Sequence, residues 1–153
     1  MADWQLAQLN IAQLQAPIDS PQLADFVANL DRINALAENA NGFVWRLKGD
    51  PPADLPNFGF DPEYIVNLSV WDSVESLHDF VYKSAHVEIM RRKKEWFHRM
   101  VRSHMVLWWV PSGHEPTPLE AKNQLEYLQD HGPTRHAFTF RQAFVRPDKV
   151  TLG

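Results

Sequence analysis

Residues 64–83, YIVNLSVWDSVESLHDFVYK, pass from a strand into a helix, and the reading of that passage decides how the rest of the chain is organised. Over residues 64–71, Tyr64, Val66, Leu68 and Val70 share one face, and Ile65, Asn67, Ser69 and Trp71 share the other. The second face is mixed rather than plainly solvated, since an asparagine and a serine stand beside an indole. Asp72 followed by Glu75 reads as a capping box, and Val74, Leu77, Phe80 and Val81 then recur at helical spacing. A bend over residues 83–85 leads into a second helical stretch, 86–97, HVEIMRRKKEWF. The two stretches together carry Trp71, Tyr82, His86, Arg91, Arg92 and Trp96 around one strand-to-helix transition, a concentration that suggests a site.

Upstream, residues 4–11 are apolar-rich and read as a first strand. Ser20 with Pro21 behind it opens a helix whose inward side is Leu23, Phe26, Val27, Leu30, Ile33 and Ala37, ending at Asn41 and Gly42. Asn34 falls within the same apolar arc, and if buried its amide needs a hydrogen-bond partner. Residues 43–47 give a second strand, and the Pro-rich stretch 49–62 reads as a long loop of the kind that borders sites. Downstream, residues 105–110 are apolar on both faces, with Met105, Leu107 and Trp109 alternating with Val106, Trp108 and Val110. Such a strand must be covered on both sides. Thr117, Pro118 and Glu120 open another helix, Gly132 closes it, and residues 137–145 read as a final strand. The order is strand, helix, strand, strand, helix, strand, with an appended helix and strand. It predicts an α+β fold, a ferredoxin-like antiparallel sheet covered by helices on one face, whose other face a second copy buries to make a dimeric α/β barrel.

The chain has 153 residues, 44% hydrophobic and 22% charged, which fits one domain over residues 1–153 with a core of its own. Six Trp, nine Phe and three Tyr exceed what a small core needs and imply a pocket or an interface. The net charge of −4 and the lack of a long basic run argue against a nucleic-acid partner. The basic cluster 91–94 is read as a solvated helix face, neutralised by Glu88 and Glu95 pairing with arginines four residues away. No cysteine is present, so disulfides, thiolate metal ligands and a cysteine nucleophile are excluded. No apolar run approaches the length that spans a bilayer, and no leader segment is visible, so no membrane partner and a cytoplasmic location are expected. His78, His98, His104, His114, His131 and His136 show no metal-ligand spacing, and no phosphate loop, nucleophile elbow or dinucleotide fingerprint occurs.

Four ordered blocks, VWDSVESLHDFVY (70–82), AHVEIMRRKKEWF (85–97), LWWVPSGHEPTPLEA (107–121) and GPTRHAFTFRQAF (132–144), resemble an uncharacterised domain family of unknown function. That family sits within the dimeric α/β-barrel superfamily and is similar to antibiotic-biosynthesis monooxygenases. The superfamily also holds polyketide cyclases, haem-degrading enzymes and haem-binding proteins, with ligands between the sheet and its helices. The resemblance implies a homodimer and a small-molecule pocket, and leaves the reaction open.

Against that background His86, near a helix start, is the candidate general base, or alternatively an axial haem ligand; the bland reading is a hydrogen-bonded, partly buried histidine. Asn67 and Trp71 share a strand face, and the resemblance assigns such a pair to holding an aromatic substrate and its developing oxyanion. Arg92 is the third catalytic candidate, as a binder of a carboxylate or enolate, although stacking on Trp96 one turn away, a structural role, is the favoured reading. Trp45, Trp71, Tyr82, Trp96 and Trp109 are the candidate substrate contacts, Trp108 being assigned to the opposite strand face from Trp109. The expected function is a monooxygenase-like enzyme without a cofactor, acting on a small planar apolar or aromatic molecule. Haem binding and a non-catalytic or purely structural dimer are the alternatives.

Overall fold

The computed structural model describes residues 3–48, 64–84, 86–100 and 102–147, and of His86 the backbone alone. The expected loop at 49–62 lies outside the described residues. In chain order the elements are β1 (Trp4–Gln13), α1 (Ala24–Glu38), β2 (Phe43–Arg46), β3 (Tyr64–Trp71), α2 (Val74–Lys83), α3 (His86–Arg91), α4 (Lys93–Trp96), β4 (Met105–Pro111) and α5 (Pro118–His131), with a 3-10 turn at Pro21–Leu23 leading into α1. The four strands form one sheet in the order β2-β3-β1-β4, and every neighbouring pair is antiparallel. This order, with α1 after β1 and α2 after β3, is the ferredoxin-like arrangement expected.

β1 is central, which explains its sequence. Leu6, Ala7, Gln8 and Leu9 are consecutive and all buried, so both faces of the sheet are covered here. One face carries Leu6, Trp71 and Leu107, packed with Leu77 and Phe80 of α2 and Ala37 of α1. The other carries Ala7, Leu9, Ile11, Leu68, Val70, Val106, Trp108 and Val110, and α5 lays Ala121, Leu125 and Leu128 on it. The two-sided apolar pattern of β4 is therefore satisfied within the chain: the appended helix supplies a second cover that the sequence reading left to another copy. Thr117 caps α5 by accepting the Glu120 N–H at 3.1 Å, and the Glu120 carboxylate in turn accepts the indole N–H of buried Trp108 at 3.0 Å. The cap thus also ties the helix to the sheet.

Several local expectations need correction, among them the Ser20 cap, whose hydroxyl makes no cap bond, and inward Val27, which is exposed. The cap of α2 is Ser73, whose Oγ accepts the Ser76 N–H at 3.1 Å, because the Asp72 N–H is spent on the Gly42 carbonyl at 2.7 Å and stays with the strand. The single helix over 86–97 is two short helices with a tight turn at Arg92, which turns Trp96 inward against Leu23 and Phe26. The charge pairs there are Arg92 with Asp25 at 2.9 Å and Glu95 at 2.8 Å, and Glu88 with Arg32 at 3.5 Å, not pairs four residues apart within the cluster. Residues 137–145 make an isolated bridge between Phe138 and Leu107 instead of a strand. Phe138, Phe140 and Phe144 bury their rings against the α2 side of the sheet, and the Phe144 carbonyl is taken by the Trp109 indole N–H at 2.8 Å, so ring packing replaces the ladder.

Candidate functional site

Strand register brings the polar residues of β1 and β3 together. Leu6 stands opposite Trp71, Gln8 opposite Ser69, and Asn10 opposite Asn67, all on the face that α1 and α2 cover. Gln8 is 2% exposed and Ser69 6%, and burying such groups is costly unless they are bonded. They are bonded to one another: Gln8 Nε2 donates to Asn67 Oδ1 at 2.7 Å and to Ser69 Oγ at 2.8 Å. Asn10 Nδ2 donates to Gln8 Oε1 at 3.3 Å, and Trp71 Nε1 donates to Ser69 Oγ at 2.9 Å.

Above this floor lies a cavity of about 60 Å³, roofed by Ile33, Asn34 and Ala37 of α1 and by Leu77, Phe80 and Val81 of α2. A water takes about 30 Å³ of liquid, so the space suits the polar end group of a ligand. Arg46 of β2 also lines it, with its Nε 3.4 Å from Glu38 Oε1 at the end of α1. The bond from Lys48, supported by the charge of Arg46, holds the Glu38 carboxyl below the usual carboxylate range. Asn34, the amide inside the apolar arc of α1, lines the cavity and hydrogen-bonds to none of the described residues. Among the described lining residues there is no carboxylate and no imidazole.

Of the residues singled out from sequence, Asn67, Trp71 and Asn34 meet here, while Trp45, Tyr82, Arg92, Trp96 and Trp109 are not among the described lining. Trp109 is on the same sheet face beyond Leu6 and lines a wider open groove of about 450 Å³ with Asp72, Ser73 and Phe144. Trp45 stands opposite Val70, on the α5 side of the sheet. Tyr82 is 47% exposed, and its ring centre lies 4.6 Å from that of His78 with the planes tilted by 42°. Arg92 is engaged by Asp25 and Glu95, with its guanidinium 4.8 Å from the centre of the Trp96 ring, the structural arrangement weighed from sequence. The backbone of His86 begins α3, and its side chain is outside the described residues. The sequence reading missed Gln8, Asn10, Ser69 and Arg46. The signal for the first two was present, since Gln8 and Asn10 alternate with Ala7, Leu9 and Ile11, but it becomes informative only once β1 is known to be central.

The described residues hold no cluster of histidines or acids able to bind a metal, and none of their helices is long and apolar enough to cross a membrane. The class defined by fold and site is a ferredoxin-like α+β domain with a small polar-floored cavity between sheet and helices. Residues 5–152 match the family described as Domain of unknown function (DUF3291), and the chain belongs to that family. No curated protein matches. Among solved structures, SnoaB, a cofactor-independent oxygenase from Streptomyces nogalater, is 14% identical, with a TM-score of 0.46 over 76% of this chain and 99% of that one. A protein of unknown function from Nitrosomonas europaea is 14% identical, with a TM-score of 0.46 over 76% and 96%. MupZ from Pseudomonas fluorescens is 16% identical, with a TM-score of 0.42 over 99% and 95%. At these identities and scores the likenesses carry no argument for a reaction or an assembly.

Proposed function

We propose that the protein binds a small planar apolar or aromatic molecule, seating its polar group in the cavity beneath α1 and α2, and acts on it as a monooxygenase-like enzyme that needs no cofactor. The supporting observation is the amide and hydroxyl floor of Gln8, Asn10, Asn67 and Ser69, set among apolar residues and an indole. Gln8 and Ser69 are buried among apolar walls, half-buried Asn10 and exposed Asn67 continue the polar row outward, and a small-molecule site likewise combines apolar walls with a few placed polar groups. The fitting reaction is one in which the ligand's own conjugation carries the electrons. An acidic CH2 group gives up a proton, the carbanion adds dioxygen, and loss of water leaves a carbonyl, so that CH2 and O2 become C=O and H2O. Asn67 holds the anion, Trp71 walls the ring, and His86, at the start of α3, is the proposed proton acceptor. Arg92, paired with two carboxylates, is left out of this scheme; Arg46 is the cation at the cavity.

Oxygen uptake with benzoylacetone, a planar aromatic compound with an acidic methylene, tests the reading. Asn67→Ala is expected to slow turnover about a hundredfold, as loss of an oxyanion donor does. Full turnover by His86→Ala would remove histidine from the scheme. Binding without oxygen uptake would favour a non-catalytic binding protein. Haem binding through His86 is the alternative reading. Added haemin is expected to give no Soret shift that His86→Ala abolishes, and such a shift would establish haem binding. A homodimer is part of the proposal on the ground that Trp45, Leu47, Tyr64 and Val66, on the β2–β3 half of the α5 face, remain only half-buried.

A further inference from the structure

Resting on the cavity reading above, we propose that Ser69 is its specificity-determining residue and that the site takes ligands through an acceptor-only oxygen, a carboxylate, enolate or phenolate. A hydroxyl has two acceptor lone pairs and one hydrogen to donate. At Ser69 both lone pairs are taken, one by the Trp71 indole and one by the Gln8 amide, so its own hydrogen is left over. The indole N–H only donates, which fixes Ser69 as an acceptor on that side.

In the structure Gln8 Oε1 faces the Asn10 amide, and its Nε2 faces Asn67 Oδ1 and Ser69 Oγ, with the Asn67 backbone carbonyl farther off at 3.4 Å. With the Asn67 carbonyl oxygen turned toward Gln8, the Asn67 NH2 is the end left for the cavity. The floor therefore presents donors: the Ser69 hydroxyl, the Asn67 NH2 and, at the rim, the Arg46 guanidinium. A buried hydroxyl that accepts twice, with its hydrogen unspent among the described residues, favours an oxygen acceptor over a donor. Trp71 and Gln8 act as positioning residues, since each acts on the ligand through Ser69.

Benzoate and benzamidinium test this directly, being planar and nearly isosteric, one offering acceptors only and the other donors only. Calorimetric titration of the full chain is expected to show benzoate bound at least about tenfold more tightly than benzamidinium, the scale of one hydrogen bond to a charged group. Ser69→Ala should lose most of that preference while Ser69→Thr, which keeps a hydroxyl, retains it. Gln8→Glu, equal in shape but acceptor-only, turns the Ser69 hydrogen toward itself and should reverse the preference. That reversal distinguishes the assignment from mere loss of folding. Equal binding of the two probes, or unchanged benzoate affinity in Ser69→Ala, overturns the assignment and leaves the cavity in place as a binding site. If neither probe binds, the cavity reading itself falls, and this assignment with it.

Discussion

Arg92 shows how much of a residue's role spacing can predict. Its stacking on Trp96 was legible because the two are one helical turn apart, and the structure has the guanidinium over that ring. Its partner Asp25 was not legible, since it comes from α1, 67 positions away in the chain. The Arg92 bond holds the Glu95 carboxyl below its usual range. A carboxyl lowered in the folded state adds stability above its unfolded pKa and loses it as pH falls through the lowered value. Thermal melts of the wild type and Arg92→Ala should therefore differ at neutral pH and converge in acid, leaving a residual gap from the lost stacking on the ring. The whole effect should be small, because the pair is solvent-exposed. Gln8 is the opposite case, for its residue type gave no hint of a site until the strand register set it beside Ser69 and Asn67.

Strands and helices were read well wherever their periodicity was long and their ends carried turn chemistry. β3 was expected at its observed bounds, and α5 follows its Thr117 cap and its Gly132 stop. Errors arose where tertiary bonds competed with a local signal. Asp72 is a good cap by residue type, yet its N–H belongs to Gly42, and the cap moves to Ser73. That strand-to-helix joint is sterically tight. Gly42 has φ 82°, and a Cβ there would run into the Asp72 carboxylate and the Ser76 side chain. Gly42→Ala is expected to cost at least about 1–2 kcal/mol in chemical denaturation, from the left-handed backbone alone. A neutral result would mean that the joint relaxes freely. Residues 137–145 were misread for the same reason as Asp72, because their alternating phenylalanines find ring partners across the sheet edge in place of a neighbouring strand.

At the scale of the molecule, α5 decides how much of the sheet is left to any partner. Leu125 of α5 is 3% exposed against the β1–β4 half of the sheet, so Leu125→Ala should destabilise by about 2–5 kcal/mol and keep a single unfolding transition. A second transition, or a loss well below that range, would show that α5 is a separable addition. The proposed dimer would use the other half of that face, and Trp45→Glu should convert it to a monomer in light scattering. A wild type that is itself monomeric would end that proposal. Pattern alone was enough to give the alternation of strands and helices through β4 and to suggest a ferredoxin-like sheet, because the two-residue and helical periods are local and each apolar face must find cover. Tertiary structure alone decided which chain covers the second face, which aromatics pack and which line a cavity, and that Gln8 and Ser69 meet at its floor. Those outcomes depend on side chains far apart in sequence competing for the same buried space and the same few hydrogen-bond partners, which no local period encodes.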